Sequence, residues 1–336
     1  MGGPTVKEVA QAAGVSVATV SRSLQLPDLV APDTRQRVEE AILRLGYAPN
    51  AQARTLRTSK TRLIVALVPD ITNPFFSGVI RGIEKEAHAN GYSVLLGDTQ
   101  YEPGREEKYA RMITERQADG LITLLPRMPK IRLPGRAPVV NACEYIVDPE
   151  VTSVYVDNRK AAHGATQYLI ALGHRRIACL AGRQGSPLSI DRLAGYKAAL
   201  TEARIGVNNK LISLGDFSIE SGGRAVDALF ARREAFTAVF CASDEMAIGA
   251  MQAIRSRGLR VPEDISVIGF DDIHVSRYLD PPLTTVAQPQ IEIGREAMTL
   301  LLGILNGVDV PPQKRILPTE LVLRGSTAPP AAEFSE

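Results

Sequence analysis

The chain has 336 residues, of which 45% are apolar and 23% are charged, and this average composition excludes wholesale disorder and leaves room for two or three domains. No apolar run approaches the roughly 20 residues of a membrane-spanning helix, and no apolar segment follows a basic start, so neither a membrane span nor a signal peptide is expected. The net charge of +2 is unevenly spread, because the first 62 residues carry nine basic and five acidic side chains. This basic head favours a polyanionic partner.

The first 60 residues predict helices only. Helical spacing of apolar side chains predicts a first helix over 6–13, opened by a capping-box pattern that begins at Thr5. A turn at Gly14 separates it from a second helix over 17–24, and a third helix is expected over 32–45. Two short helices joined by a glycine-containing turn predict a helix-turn-helix, whose second helix can enter the major groove of DNA.

The second helix supplies side chains suited to DNA contact. Arg22 can form two hydrogen bonds to guanine, and the short apolar Val17 and Ala18 suit a thymine methyl group. Hydroxyl side chains that suit phosphate oxygens complete the candidate set: Thr5, Ser16, Thr19 and Ser21. The alternative is a three-helix scaffold that binds nothing, with Arg22 as a solvated surface charge.

From residue 62 onward, continuous apolar strands alternate with helices, which predicts parallel sheets covered by helices on both faces. The expected strands are 63–69, 93–97, 120–125, 138–144, 153–157, 176–181, 211–215, 238–242, 265–270, 283–288 and 315–323. About eleven strands are more than one sheet of this type usually holds, so two α/β lobes are expected. The three cysteines lie far apart in strand-like runs, which predicts buried free thiols and a cytoplasmic protein: Cys143, Cys179 and Cys241.

Polar and aromatic side chains follow several of these strands at their carboxyl ends, where open parallel sheets bind ligands. They are Asp70, Phe75, Phe76, Arg192, Phe217, Ser243, Asp244, Asp271 and Gln288. This mixture suits a polar, ring-bearing small molecule. The alternative for each residue is a loop cap or a hydrogen bond between strands.

Enzyme motifs are missing from the sequence. It contains no phosphate-binding G-x-x-x-x-G-K-[ST], no G-x-G-x-x-G after a strand and no G-x-S-x-G, and its four histidines are scattered. We therefore expect no catalytic residue, no metal site and no cofactor.

Segments spread over residues 5–327 resemble, in the same order, the LacI/GalR family of bacterial transcription regulators. They include TVKEVAQAAGVSVATVSRSL, TRQRVEEAILRLGYAPNAQARTLR, VPDITNPFFSGVIRGIE, ALGHRRIACLAG, AVFCASDEMAIGA, VPEDISVIGFDDI and LVLRGST. The resemblance implies a helix-turn-helix head with a hinge helix, followed by a bilobed body like that of periplasmic binding proteins. It implies a repressor that binds a palindromic double-stranded DNA operator as a homodimer and is controlled by a small-molecule effector.

The resemblance also assigns roles to residues. Taken alone, 50–57 is a solvated linker or a helix too short to be stable, whereas the family has a hinge helix there that folds as a pair on DNA. Its leucine, matched by Leu56, wedges into the minor groove, and the matching set is Asn50, Ala53, Arg54, Leu56 and Arg57. In the effector pocket the family positions match Phe75, Arg192, Phe217, Asp271 and Gln288, with Cys143 and Glu144 as further wall residues.

Two phenylalanines across a cleft favour a nucleoside effector, and a pentose or hexose is the alternative. A solute-binding protein of a transporter would have a similar body but lacks a basic helical head. A Rossmann-type enzyme would need a phosphate loop.

The expected domains are a DNA-binding head over 1–58, a body over 62–327 and a flexible tail over 328–336. Within the body, one lobe is expected over 62–160 plus 290–327 and the other over 161–289.

Overall fold

The computed structural model describes residues 4–48, 60–131, 137–146, 148–308 and 311–331. The chain divides into two compact units, Met1–Thr61 and Arg62–Glu336, called the head and the body below.

In the part of the head that the structure describes, the chain forms three helices, α1 (Val6–Ala13), α2 (Val17–Gln25) and α3 (Pro32–Leu45). Their buried apolar side chains form one small core: Val9, Ala10, Ala13, Val20, Val38 and Ala41. The capping box at Thr5 is present, because Glu8 N–H donates to Thr5 Oγ1 over 3.4 Å and Thr5 N–H donates to Glu8 Oε2 over 2.6 Å. The predicted helix-turn-helix is therefore formed, with Gly14 in the left-handed conformation at φ 65°.

The body contains two six-stranded sheets. The first has the strand order β11-β5-β4-β3-β1-β2 and is parallel throughout, and the second has the order β12-β10-β9-β8-β6-β7 with only β12 antiparallel. The strands are β1 Leu63–Val68, β2 Ser93–Asp98, β3 Gly120–Thr123, β4 Val139–Cys143, β5 Thr152–Val156, β6 Ile177–Ala181, β7 Ile212–Leu214, β8 Ala238–Cys241, β9 Ser266–Asp271, β10 Thr284–Ala287, β11 Lys314–Leu317 and β12 Glu320–Val322. The predicted two-lobed α/β body is confirmed.

Seven α-helices among the described residues of the body cover the two sheets. They are α4 Pro74–Ala89, α5 Pro103–Thr114, α6 Asn158–Ala171, α7 Pro187–Glu202, α8 Ile219–Ala231, α9 Asp244–Arg255 and α10 Gln290–Leu305. The core of the first lobe packs α4 and α10 on the sheet, and the core of the second lobe has α8 and α9 on one face and α6 and α7 on the other. All three cysteines are free and buried, as predicted.

The C-terminal part of the chain differs from the prediction. A single strand over 315–323 is wrong, because β11 pairs with β5 in the first sheet and β12 pairs with β10 in the second. Residues 320–327 thus belong to the second lobe, not the first. A tail that is free from residue 328 onward is also wrong, because the Ala328 carbonyl accepts hydrogen bonds from His174 Nε2 and Ser266 Oγ, each over 2.9 Å.

Among the residues that the structure describes, no helix has both the length and the apolar character needed to cross a membrane.

Candidate functional site

One face of α2 in the head presents the candidate DNA-contacting side chains to solvent. Val17, Ala18 and Arg22 are exposed, and Thr19 and Ser21 are partly exposed, while Val20 is fully buried in the head core. Val17 is 41% exposed and lies outside the head core that buries Val20. The exposed face of α2 therefore presents two small apolar side chains, Val17 and Ala18, next to Arg22.

Two of the predicted hydroxyl side chains hold helix ends. Thr5 caps α1, and Ser16 Oγ accepts a hydrogen bond from Thr19 N–H over 3.1 Å at the start of α2. Such caps stabilise a helix by about 1 kcal/mol. By contrast, Ala31 at the start of α3 provides no capping side chain, as its sequence predicts, and Pro32 occupies the first turn. The hinge residues Asn50, Ala53, Arg54, Leu56 and Arg57 lie outside the described residues.

A cavity of about 230 Å³ lies in the body where the carboxyl ends of the two sheets face each other. Nine of the eleven predicted effector residues line it: Phe75, Phe76, Cys143, Glu144, Arg192, Phe217, Ser243, Asp271 and Gln288. They come from strands and helix starts of both lobes, as the strand-end rule predicts for parallel sheets.

Two predicted residues do not line the cavity. Asp70 Oδ1 accepts hydrogen bonds from the Thr72 N–H and hydroxyl, over 2.9 and 2.6 Å, in a tight local turn. Asp244 is fully buried and accepts hydrogen bonds from Ile273 N–H and Ser276 Oγ, over 2.9 and 2.6 Å. These bonds fix the loop after β9 and turn the Asp244 carboxylate toward that loop, away from the set of residues that line the cavity.

The predicted ionic pair lies on the floor of the cavity. Arg192 and Asp271 are both buried, with Arg192 Nη1 3.7 Å from Asp271 Oδ1. The guanidinium is held flat, because Nε donates to Asn158 Oδ1 over 2.8 Å and the carbon Cζ lies 3.7 Å from the centre of the Phe270 ring. Burial raises the pKa of Asp271 to about 8, although Arg192 acts in the opposite direction.

Several polar atoms of the cavity wall are buried without a partner. Glu144 is 93% buried, and its Oε2 atom accepts no hydrogen bond from any described residue. Burial raises the pKa of Glu144 to about 7. The hydroxyl of the wall residue Ser186, at the start of α7, is also buried and has no hydrogen-bond partner among the described residues. The same holds for the hydroxyl of Ser189 in the first turn of α7, which lies behind the wall residues. Since buried polar groups normally find partners, this cluster points to a bound molecule with donors and acceptors.

Aromatic side chains from both lobes line the same cavity. The Phe75 and Phe76 rings at the start of α4 pack edge to face, with centroids 5.3 Å apart and an interplanar angle of 73°. On the other lobe, Phe217 follows β7 in the left-handed conformation at φ 75°. Its ring packs over Gly182, where a Cβ atom would lie 2.1 Å from Phe217 Cζ. The absence of a side chain at Gly182 therefore makes room for this aromatic wall.

Sequence reasoning missed other wall residues, which lie in loops beyond the strand ends or, for Leu188, in the first turn of α7. They are Pro69, Asn73, Tyr101, Leu124, Pro126, Arg127, Arg183, Gln184, Gly185, Ser186 and Leu188. The sequence does contain a signal for Ser186, because a serine directly before a proline, here Pro187, is typical of a helix start. Among the described residues no group of three or more histidine, cysteine or carboxylate side chains is arranged to hold a metal ion.

Comparison with known proteins identifies both units. Residues 5–50 match the model of the bacterial regulatory proteins of the lacI family, and residues 166–327 match the periplasmic binding protein-like domain. The transcriptional repressor CytR of Escherichia coli strain K12 is 44% identical over 330 residues, which cover 96% of each chain.

Solved structures of related proteins support the same assignment. The transcriptional regulator CelR in complex with cellobiose is 34% identical, with a TM-score of 0.73 over 96% of this chain and 99% of that one. The Lac repressor dimer bound to operator and the anti-inducer ONPF is 30% identical, with a TM-score of 0.85 over 97% of this chain and all of that one. These relatives are regulators of transcription and not enzymes. With its helix-turn-helix head and two-lobed body, the chain belongs to the LacI family and is a DNA-binding transcriptional repressor.

Proposed function

We propose that the chain binds a nearly palindromic double-stranded operator as a homodimer, with residues 1–58 of each subunit on one half-site. The exposed face of α2 supports this proposal, since Arg22 suits guanine and Val17 and Ala18 suit a thymine methyl group. Thr5, Ser16, Thr19 and Ser21 are assigned to the sugar–phosphate backbone. The related Lac repressor dimer was solved on its operator.

The segment 50–57 is assigned to a hinge helix that pairs with its partner on DNA. Leu56 opens a minor-groove step and bends the duplex. Ala53 packs against the paired helix, and Asn50, Arg54 and Arg57 are assigned to the DNA backbone.

In the body, residues 62–327, the proposed effector is a nucleoside. The observation that carries this proposal is the convergence of Phe75 and Phe217, from opposite lobes, on one cavity beside Arg192 and Asp271. A planar base between two aromatic rings gains about 0.5–1.5 kcal/mol beyond simple burial. Arg192 and Asp271 suit the vicinal hydroxyls of a ribose, and the charge-assisted hydrogen bonds that the Arg192 guanidinium donates in a buried cleft are strong.

The remaining wall residues complete the pocket in this proposal. Gln288 Nε2 donates to Asp271 Oδ1 over 2.7 Å and so orients its carboxyl group. Phe76 and Cys143 supply apolar wall, Ser243 lies beside Phe217, and the free oxygen of Glu144 accepts a hydrogen bond from the ligand.

A pentose or hexose effector is the second candidate, and the complex of the related CelR with cellobiose favours it. A sugar would use the same ionic pair but needs only one aromatic face. Calorimetry with cytidine, adenosine, uridine, ribose and a hexose separates the two candidates. Ribose bound as tightly as any nucleoside would refute the stacking argument.

Effector binding changes DNA affinity in this proposal by biasing the relative orientation of the lobes, a coupling that is reciprocal and typically about 1–3 kcal/mol. A truncation that starts at Lys60 tests whether DNA binding resides in the head and ligand binding in the body. It is expected to retain the folded, dimeric, ligand-binding body and to lose operator binding in a mobility-shift assay. Full operator affinity of the truncated chain would refute the assignment of DNA binding to the head.

A further inference from the structure

Two side chains from opposite lobes meet at the cavity. Tyr101 follows β2 of the first sheet, and Arg183 follows β6 of the second sheet after one intervening glycine. The Arg183 guanidinium carbon Cζ lies 4.0 Å from the centre of the Tyr101 ring, and both side chains line the cavity. The contact therefore joins the two lobes.

The position of Tyr101 is imposed by its backbone. Gln100 and Tyr101 both adopt the left-handed backbone conformation, at φ 50° and 59°, which is unfavourable for residues other than glycine. The preceding Thr99 is fully buried, and both its N–H and its hydroxyl donate to the Val68 carbonyl, over 2.9 and 3.2 Å. Two strained residues held by a buried anchor direct the Tyr101 ring toward the other lobe.

Arg183 has the opposite character, because it is exposed and, in the part of the chain that the structure describes, no carboxylate lies within salt-bridge distance of it. Its observed partner is the Tyr101 ring. Arginine stacks on aromatic faces because its guanidinium is planar and weakly hydrated. Since the arginine side is solvated, this contact can break and re-form without leaving a buried charge unpaired.

We propose that Tyr101 and Arg183 form a latch across the cleft, which must open before a ligand can enter or leave. This inference rests on the proposed role of the cavity as the effector site. A cation–π contact of this kind biases the lobes toward the closed arrangement by about 2- to 30-fold. The latch therefore slows ligand release.

The test uses the full chain and needs no ligand in its first step. The chain contains no tryptophan, so Tyr101→Trp introduces a single indole, which can be excited selectively, and keeps an aromatic partner for Arg183 that is better than tyrosine in cation–π contacts. In this background, Arg183→Ala is expected to increase acrylamide quenching of the indole by about twofold or more, because the ring is uncovered. Acrylamide quenching in Arg183→Lys is expected to lie between that of the Tyr101→Trp parent and that of Arg183→Ala, since lysine keeps the charge but loses the planar stacking.

Arg255→Ala is the matched control, because Arg255 is an exposed arginine on α9 of the same lobe. It is expected to leave quenching unchanged. Equal quenching with and without the Arg183 side chain would overturn the latch. All variants are compared by circular dichroism to confirm that they fold.

The second step measures release of cytidine by stopped-flow dilution. Arg183→Ala is expected to release it about 2- to 30-fold faster than the parent chain, and equal rates would overturn the gating role. Failure of cytidine and the other nucleosides to bind would refute the proposed effector instead. The ligand-free quenching result would be unaffected, so the two failures are distinguishable.

Discussion

The position of Phe217 depends on the absence of a side chain at Gly182, which makes Gly182→Ala a sharp test of the aromatic wall. The added Cβ atom would lie 2.1 Å from Phe217 Cζ and 2.7 Å from Ser189 Oγ. Real Cβ contacts are never this short, so the ring or the strand end must shift. The ring has little freedom, since Phe217 is held at φ 75° and packs against the second-lobe core.

Overpacking of this kind costs about 1–3 kcal/mol. For a body of this size, we expect the Tm to fall by about 2–6 °C. Displacing Phe217 also removes one of the two stacking faces, which is worth about 0.5–1.5 kcal/mol. We therefore expect nucleoside affinity to fall by about 2- to 10-fold, with a smaller loss for ribose.

Gly164→Ala provides the control, because Gly164 lies in α6 and a Cβ atom there would meet nothing within 4 Å. Alanine is favoured over glycine inside a helix by about 0.5–1 kcal/mol, so this variant is expected to melt at the same temperature or slightly higher. Differential scanning calorimetry and isothermal titration of both variants make the comparison. If Gly182→Ala melts like the parent and binds nucleosides as tightly, Phe217 does not form the wall described here.

Four further predictions follow from the head, the hinge and the cavity. Arg22→Ala is expected to relax base preference at one position of each half-site, at about 1–3 kcal/mol, in a binding-site selection assay; an unchanged preference would assign Arg22 to the DNA backbone. Leu56→Ala is expected to leave the Tm unchanged but to weaken operator binding and reduce DNA bending in a circular-permutation assay; equal bending would make the segment a plain linker. Because burial raises the pKa of Asp271 to about 8, the folded state binds an extra proton between about pH 4 and 8, so urea titrations are expected to show stability falling as the pH rises through that range. Asp271→Asn is expected to make this dependence shallower, with Glu144 and Asp244 still contributing to it, and an identical slope in both proteins would refute the prediction. Glu144→Gln is expected to weaken cytidine and adenosine more than uridine in calorimetry at pH 8, because the carboxylate accepts from an amino group; equal losses would refute that contact.

The local elements could be predicted because their signals are local. The apolar run beginning at Leu63 predicted a strand over 63–69, and β1 ends one residue earlier. The caps at Thr5 and Gly14 bounded α1 correctly. Periodicity and capping residues depend on neighbours within one or two turns, so the sequence carries them directly.

The split of 315–323 into two strands could not be predicted in this way. Both halves have strand-like composition, and only Pro318 and Thr319 separate β11 from β12. Which sheet each half joins is decided by partners far away in sequence, β5 for one and β10 for the other. The sequence pattern indicates strand propensity, but it does not indicate that the chain crosses from one lobe to the other between β11 and β12.

The same limit applies to the site. The strand-end rule placed seven residues at the cavity, because parallel strands deliver their carboxyl ends to one edge, and the family resemblance added Cys143 and Glu144. It failed for Asp70 and Asp244, since a carboxylate after a strand can turn to nearby N–H and hydroxyl donors instead. It missed Tyr101 and Arg183, because the paths of their loops depend on positive φ angles and on the other lobe.

Three connections join the two lobes: the chain crosses after Val156, again after Ala287, and a third time between Leu317 and Glu320. Each lobe is thus built from segments that are not contiguous, so neither can move without bending all three connections together. Such a joint favours rotation that opens or closes the cleft over sliding of one lobe past the other. The residues proposed to contact the ligand and the proposed latch lie at the carboxyl ends of the strands, where that rotation changes distances. Since residue 62 enters the first lobe directly before β1, the same rotation is transmitted to the point from which the head extends, which is the physical basis for the proposed coupling between effector and operator.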